Sequence, residues 1–164
     1  MRRSARWFGL AAALVVVDQL VKWIALARLA AGEVVDVAPF FNLVLVFNKG
    51  AAFSFLAREA GWQTPVLITF ALAASVVVGV LIVRNSGKVL LCGSLASILG
   101  GALGNAIDRL RFGYVVDFVD LHAFGWHWPA FNLADSAITI GAVLLILDGL
   151  VRSDAALPKD ARMP

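Results

Sequence analysis

The sequence predicts an all-α membrane protein with four transmembrane helices and a small extracytoplasmic β-hairpin. Three observations support this fold class. Of the 164 residues, 61% are hydrophobic and 15% are charged, whereas about a quarter of the residues in a soluble domain are charged. The apolar residues gather in four runs long enough to cross a bilayer. A segment between the first two runs alternates with a period of two, which is typical of a strand. At this length we expect a single domain.

The four predicted spans differ in how cleanly they fit a membrane. A helix needs about 20 predominantly apolar residues to cross the bilayer core. Three of the runs meet this requirement directly, whereas the first contains Asp18 and Lys22. The predicted spans cover residues 7–27, 65–83, 89–107 and 133–151. The polar tail at 153–164 is predicted to be disordered.

The first run has an alternative interpretation as a cleaved signal peptide. Three arginines precede it, and residues 25–27 offer a small-x-small cleavage site. Asp18, Gln19 and Lys22, however, would interrupt the approach to that site. We therefore predict a retained helix.

Basic residues set the expected orientation, because cytoplasmic loops carry an excess of Lys and Arg. One side of the membrane would hold the larger set, namely Arg2, Arg3, Arg6, Arg84, Lys88, Arg152, Lys159 and Arg162. The other side would hold Arg28, Lys49, Arg58, Arg109 and Arg111. We therefore predict that both termini are cytoplasmic and that residues 28–64 and 108–130 are extracytoplasmic.

The first extracytoplasmic segment contains the predicted hairpin. Every second residue from Phe41 to Phe47 is a phenylalanine or a leucine, and this period of two indicates a strand. Asn48-Lys49-Gly50 supplies a turn, and residues 51–56 could return as a second strand. Because both faces would be apolar, such a hairpin suits the membrane surface; an ordinary loop with a hydrophobic anchor is the alternative.

The composition argues against several other kinds of protein. The net charge is +3, and the basic residues are scattered or flank apolar runs, unlike the basic face of a nucleic-acid binder. Cys92 is the only cysteine, so it forms no internal disulfide and is predicted to be a packed hydrophobe. His122 and His127 lack the number and spacing of a zinc motif. We expect no metal and no cofactor.

Two groups of residues inside the spans need an explanation. Asp18 and Lys22 are four residues apart and share a helix face. They could be a purely structural, mutually neutralising pair, or a pair that also shapes a site. Gly100, Gly101 and Gly104 in the third span favour close approach of another helix.

A polar group follows the glycines near the predicted outer boundary. Asn105, Asp108 and Arg109 are spaced so that they can share one face of a helix. Because polar residues at membrane depth usually face a cavity or a partner, the spacing indicates a polar network at the mouth of a bundle.

Two further acids, Asp117 and Asp135, can meet at the same membrane depth. Asp117 lies among apolar residues in the second extracytoplasmic segment. Asn132 and Asp135 stand at the start of the fourth span, where Asp135 could also be simply a helix-start residue that favours the dipole. Two adjacent carboxylates do not readily ionise together, so one can hold a proton while the other acts as a base. From the residues alone, an aspartyl hydrolase competes with a small transporter or packing scaffold.

Five motifs in order resemble the lipoprotein signal peptidase (signal peptidase II) family. They run over nearly the whole chain, from Asp18 to about Ile138. The motifs are Asp18-Gln19-Leu20-Val21-Lys22, Asn48-Lys49-Gly50-Ala51-Ala52-Phe53, the run from Gly100 to Arg109, Val115-Val116-Asp117-Phe118, and Phe131-Asn132-Leu133-Ala134-Asp135-Ser136.

This resemblance implies an aspartic endopeptidase in the bacterial cytoplasmic membrane. The implied catalytic dyad is Asp117 and Asp135. The implied supporting or substrate-binding residues are Asp18, Lys22, Asn48, Gly50, Asn105, Asp108, Arg109 and Asn132. The implied substrates are prolipoproteins with a diacylglyceryl group on the cysteine after the cleavage point, and the antibiotic globomycin is expected to occupy the site. The resemblance also implies an outward hairpin that cradles substrate, contact with membrane lipid, and a retained first helix.

Overall fold

The computed structural model describes residues 2–50 and 62–156 of the chain. Within these ranges the elements follow the order α1 (Arg2–Arg28), β1 (Val34–Ala38), β2 (Phe41–Asn48), α2 (Gln63–Arg84), α3 (Val89–Phe112), β3 (Val115–Ala123), β4 (Trp126–His127) and α4 (Leu133–Ala156). The predicted return strand at 51–56 lies outside the described residues.

The described residues include four helices that are long and apolar enough to cross a membrane, which confirms the predicted fold class. Large apolar side chains cover the outside of these helices. Phe70, Val76 and Ile146 are each more than half exposed. A soluble protein rarely leaves so much apolar surface uncovered, whereas a bilayer surrounds it with lipid, and the helical hydrogen bonds satisfy the backbone internally.

Helix α3 is the centre of the bundle and packs against α1, α2 and α4. Glycines permit this close packing. A Cβ atom on Gly100 would lie 2.8 Å from the Cβ of Leu14 in α1, and one on Gly101 would collide with the backbone oxygen of Ala134 in α4. The packing role predicted for these glycines is confirmed.

An apolar cluster joins α1, α2 and α3 at the end of the bundle where α1 begins. Its buried members are Trp7, Ala11, Ile82, Cys92, Leu95, Ala96 and Leu99. Cys92 is fully buried, as predicted, and its thiol donates to the carbonyl of Asn85 at 3.0 Å. This cluster holds the three helices together at the end opposite the polar residues of α1 and α3.

The β structure is a four-stranded antiparallel sheet with the strand order β1-β2-β3-β4. The predicted strand at 41–47 is β2, and its partners among the described residues are β1 and β3. The sheet is therefore larger than the predicted hairpin. β3 was not expected because Asp117 and Asp120 interrupt its apolar pattern, and because its pairing with β2 joins segments separated by two transmembrane helices.

Helices α3 and α4 continue beyond the predicted spans, which end at 107 and 151. The apolar run of α3 ends at Asn105, Asp108 and Arg109. The helix nevertheless continues to Phe112, because the side chains of these polar residues form hydrogen bonds and ion pairs. Gly113 caps the helix after Phe112. Its φ of 80° lies in the left-handed region, and its N–H donates to the Arg109 carbonyl. Residues 153–156, predicted as the start of a disordered tail, belong to α4; residues 157–164 lie outside the described range.

Candidate active site

Asp117 lies in the middle of the sheet and is 1% exposed. β3 places it opposite Val46 of β2. Two side-chain amides donate to its carboxylate. Asn48 Nδ2 lies 3.0 Å from Oδ2, and Asn132 Nδ2 lies 2.7 Å from Oδ1. Each carboxylate oxygen is therefore held by one amide donor.

Asp135 lies in the first turn of α4, where it forms a reciprocal cap with Asn132. The Asn132 Oδ1 accepts a hydrogen bond from the Asp135 N–H at 2.9 Å, and Asp135 Oδ2 accepts one from the Asn132 N–H at 3.2 Å. This arrangement has the form of a capping box. The helix-start role considered for Asp135 is thus real, but it uses only one oxygen. The other, Oδ1, accepts a hydrogen bond from Asn105 Nδ2 at 2.8 Å.

Asn132 connects the two carboxylates, because its side chain donates to Asp117 and its backbone donates to Asp135. The pKa of Asp117 reflects this proximity. Burial and, second, the charge of Asp135 raise that pKa from 3.8 to about 7, although the amides of Asn48 and Asn132 act in the opposite direction. Asp117 can therefore hold a proton near neutral pH, which gives an acid beside a second carboxyl group.

Lys22 is the hub of the polar residues beneath the two carboxylates. Its ammonium group is 2.9 Å from Asp18 Oδ2, 2.9 Å from Asp108 Oδ2 and 2.9 Å from Asn105 Oδ1. These contacts use all three of its donors. Lys22 and both acids are almost completely buried. A single cation thus pairs with acids from α1 and α3 and also holds the amide that contacts Asp135.

The two acids bound to Lys22 also hold the backbone on which the site is built. Asp18 Oδ1 accepts a hydrogen bond from the N–H of Ala134 at 2.9 Å, and Asp108 Oδ2 accepts one from the N–H of Val116 at 3.1 Å. Ala134 immediately precedes the α4 carboxylate, and Val116 immediately precedes the β3 carboxylate. The Asp18–Lys22 pair is therefore more than a neutralised pair, because it connects to both sides of the site.

Arg109 and Gly50 lie at the edge of this arrangement. Arg109 donates from a terminal guanidinium nitrogen to the carbonyl of Gly50 at 3.0 Å. The Gly50 N–H donates to Asn48 Oδ1 at 3.0 Å, so Asn48 contacts both Gly50 and Asp117. The Nε of Arg109 is buried and has no hydrogen-bond partner within the part of the chain that the structure describes.

Gln19 is a member of the network that was not among the predicted site residues. Its Nε2 donates to Asp108 Oδ1 at 2.7 Å and to the carbonyl of Gly104 at 3.2 Å, and Arg111 donates to its Oε1 at 3.3 Å. Its position beside Asp18, as another polar residue in a span, was the signal that could have identified it.

Residues 2–50 and 62–156 contain no group of three His, Cys, Asp or Glu side chains arranged to hold a metal ion. His122 and His127 lie farther along the sheet, where His127 contacts Asp120 at 2.9 Å and His122 contacts Asn42 at 3.2 Å. These histidines were not predicted as site residues, whereas every predicted site residue lies in one of the connected sets around Asp117, Asp135 and Lys22.

Related proteins have the same fold and closely similar sequences. A lipoprotein signal peptidase from Janthinobacterium sp. (strain Marseille) is 55% identical over 147 residues, which cover 89% of this chain and 88% of the relative. One from Paraburkholderia phytofirmans is 53% identical over 148 residues, which cover 90% of this chain and 86% of the relative.

Two solved structures of bacterial membrane enzymes, both obtained by the in meso method, superimpose on this chain. The first, at 2.3 Å resolution, gives a TM-score of 0.85 with 29% identity and covers 94% of this chain and 93% of its own. The second, at 1.9 Å resolution, gives 0.80 with 28% identity and covers 89% of this chain and 93% of its own.

A family profile described as signal peptidase II matches residues 10–151, a range that begins inside α1 and ends inside α4. The match spans all four helices and both carboxylates joined by Asn132. This chain belongs to the signal peptidase II family of membrane proteases.

Proposed function

We propose that this protein is an aspartic endopeptidase that removes signal peptides from diacylglyceryl-modified bacterial prolipoproteins, and that it cleaves before the lipidated cysteine. The observation that carries this proposal is the placement of two carboxylates on one asparagine, with the pKa of Asp117 raised to about 7. The relatives named lipoprotein signal peptidase support the substrate class. Family membership favours a protease over the alternative of a small transporter or scaffold.

In the proposed mechanism, Asp135 is the base and Asp117 is the acid. Asp135 is half-buried and Asp117 is fully buried, so Asp135 is better placed to meet water. It removes a proton from a water molecule, whose oxygen attacks the carbonyl carbon before the cysteine. Protonated Asp117 donates a hydrogen bond to the carbonyl oxygen as negative charge develops there. As the C–N bond breaks, the proton taken up by the dyad passes to the leaving amine.

Lys22 is proposed as the positioning residue of the dyad. Its contacts with Asp18 and Asp108 support this role, because those acids hold the N–H groups that precede Asp135 and Asp117. Lys22 does not touch the proposed reacting atoms. A small displacement of a catalytic group can cost a large fraction of the rate, so we expect the charge and shape of this hub to be needed for turnover.

Asn48, Gly50 and Arg109 are proposed to bind the peptide backbone of the substrate. The chain of contacts from Arg109 to the Gly50 carbonyl, from Gly50 to Asn48 and from Asn48 to Asp117 supports this assignment, because it places these three residues beside the dyad. Asn105 and Asn132 complete the support of the carboxylates. Globomycin is proposed to occupy the same site as the substrate, and no metal or cofactor enters the mechanism.

The proposed location is the bacterial cytoplasmic membrane, with both termini cytoplasmic and the dyad near the extracytoplasmic surface. The excess of basic residues at one set of span ends supports this orientation. In this membrane, a lipidated precursor and the enzyme share the bilayer, which places the scissile bond near the dyad. A reporter fused after Arg84 should be cytoplasmic; an extracytoplasmic signal there would reverse the assignment.

The function is tested with purified protein and two precursors that differ only in the lipid. One carries the diacylglyceryl group on its cysteine, and the other has serine at that position. We expect the lipidated precursor to be shortened at the bond before the cysteine and the serine version to stay intact. Failure to shorten the lipidated precursor would contradict the proposed function and favour the transporter or scaffold.

A further inference from the structure

The β3–β4 hairpin has two chemically different faces. Its register pairs His122 with His127 and Ala123 with Trp126, and the Trp128 N–H donates to the Leu121 carbonyl at 2.7 Å. Cross-strand partners project to the same side of a sheet, and successive residues project to opposite sides. One face therefore carries Leu121, Ala123, Trp126 and Trp128. The other carries Asp120, His122 and His127.

The two faces also differ in what they contact. On the polar face, Asp120 binds Asn42 and His127, and the two histidine rings stack with centroids 5.0 Å apart. On the apolar face, Leu121 is 40% exposed, Trp126 60% and Trp128 46%. The two tryptophan rings meet edge to face with centroids 5.7 Å apart. A large apolar surface is thus presented outward from a hairpin whose reverse side is polar.

The tip of the hairpin adds a further exposed aromatic residue. Phe124 and Gly125 form the two-residue turn, with φ values of 53° and 78°, and the Phe124 side chain is fully exposed. Turns with positive φ at both central positions favour Asn-Gly or Gly-Gly. A bulky residue in this region is strained. Phenylalanine therefore does not serve the turn itself, and its side chain does not pack against the residues that the structure describes.

The hairpin is continuous with two transmembrane helices. β3 begins at Val115, soon after α3 ends at Phe112, and α4 begins at Leu133. The ends of α1 and α2 on this side of the bundle also carry exposed tryptophans, Trp23 and Trp62. Tryptophan and other amphipathic aromatic side chains are enriched where membrane proteins cross the boundary between lipid and water. The position and the composition of the apolar face therefore match a lipid boundary.

We propose that the apolar face of the β3–β4 hairpin, together with Phe124, is a lipid-contact surface that lies in the interfacial layer of the bilayer on the active-site side. Its partner is the glycerol and upper-chain region of phospholipid. The four residues of the face are uncharged, so contact depends on apolar burial and does not require anionic lipid. The polar face with Asp120 and His127 then points to water. Contact at the far tip of the sheet would hold β3, and with it Asp117, at a fixed depth.

The test uses the full chain reconstituted in phosphatidylcholine vesicles. Tryptophan emission is compared between the native chain and a Trp126→Phe/Trp128→Phe variant, so that the difference belongs to these two residues. We expect bromine placed on the lipid near the glycerol to quench this difference emission strongly. Bromine near the chain ends should quench it less, and aqueous acrylamide should quench it little. The measurement does not depend on turnover, so it can be repeated in an Asp117→Asn background. Its outcome is therefore independent of whether Asp117 and Asp135 are the catalytic dyad.

Two results would overturn the proposal. Efficient quenching by acrylamide with none by brominated lipid would place the face in water. Protection from every quencher would show that protein covers the face, for example a second copy of the chain.

Phe124→Asn gives an independent check, because asparagine suits the positive φ and leaves the rest of the face intact. We expect this variant to unfold in detergent at the same or a higher temperature. Quenching of the Trp126 and Trp128 emission by bromine near the glycerol should fall. Unchanged quenching would contradict the role assigned to Phe124.

Discussion

Helices α2 and α3 are both transmembrane, and the more hydrophobic of the two is the less buried. Soluble proteins show the opposite relation, because their most hydrophobic segments are the most buried. α2 is the more apolar helix, and almost all of it faces outward. α3 is less apolar, and more than half of its span is buried between the other helices. In lipid, apolar surface gives little reason for helices to associate, so small and polar residues form the contacts. The polar residues of α3 mark where the bundle closes, because they contact α1, β3 and α4.

The largest effect expected from this comparison is the loss of Lys22. Lys22→Met keeps an apolar stem of similar length but leaves Asp18 and Asp108 without their cation. Removing one partner of a buried charge network costs roughly 3–5 kcal/mol. We expect a large fall in the thermal midpoint in detergent and loss of precursor cleavage.

Arg111→Met is the matched control for Lys22→Met, since Arg111 is exposed and forms surface contacts with Gln19, at 3.3 Å, and with the ring of Phe112, at 4.7 Å from its centroid. A change of about 0.5 kcal/mol or less is expected for such a surface site. Equal stability of the Lys22 and Arg111 variants would contradict the importance of the buried hub.

A second pair of substitutions compares apolar side chains in α3 and α2. Leu95 is 3% exposed in the core, whereas Phe70 is 72% exposed on α2. Leu95→Ala should cost about 2–5 kcal/mol because it leaves a cavity, while Phe70→Leu should change stability by about 0.5 kcal/mol or less. Denaturant or thermal unfolding in one detergent measures both. A larger loss from Phe70→Leu would mean that α2 packs against a partner rather than lipid.

Glycine-to-alanine substitutions make the same comparison on a smaller scale. A Cβ on Gly104 in α3 would lie 2.7 Å from Asp18 Oδ2, whereas a Cβ on Gly79 in α2 would meet its nearest atom, on Phe8, at an ordinary 3.7 Å. Gly104→Ala should therefore displace the Asp18–Lys22 pair at a cost of about 1–3 kcal/mol. Gly79→Ala should be neutral or stabilising by up to about 1 kcal/mol. Similar stabilities for the two variants would show that α3 accommodates a methyl group at Gly104, which would contradict the close packing seen in the structure.

The smallest effect concerns pH. Because the pKa of Asp117 is raised to about 7, its proton is lost as the pH rises through that value. If protonated Asp117 is the acid, kcat/KM should fall above pH 7 and approach a tenfold loss per pH unit. The profile is measured for the native protein and for Asp120→Asn, which should keep the same alkaline limb. A rate that instead rises through pH 7 to a plateau would assign the opposite protonation state to Asp117.

Much of the fold and of the candidate site was predictable because the relevant signals are local. The long apolar runs specify four helices, and the order of the short polar motifs specifies which residues gather at one end. Asp18, Lys22, Asn105 and Asp108 could be selected because polar residues are costly at membrane depth.

The remaining features depend on contacts that no local pattern contains. The carboxylates of Asp18 and Asp108 accept hydrogen bonds from the backbone N–H groups of Ala134 and Val116, and these contacts arise only when α1, α3, β3 and α4 meet. The pairing of β2 with β3 is also long-range, and this explains why the sheet exceeds the predicted hairpin. Helix α3 continues past its apolar run because Asp108 is satisfied by Lys22 and Val116, which sequence hydropathy does not report.

The role of Asp117 and Asp135 as one catalytic unit is tested most directly by precursor cleavage with Asp117→Asn, Asp135→Asn, the double variant and Asp120→Asn. Asp120 lies three residues from Asp117 on the same strand but contacts Asn42 and His127 instead. Folding of each variant is checked by thermal unfolding in detergent. We expect each single dyad variant to lose on the order of 10²–10⁴-fold in rate, the double variant to be little worse than either, and Asp120→Asn to keep most of its activity. Near-normal turnover by a correctly folded Asp117→Asn or Asp135→Asn variant would contradict the dyad.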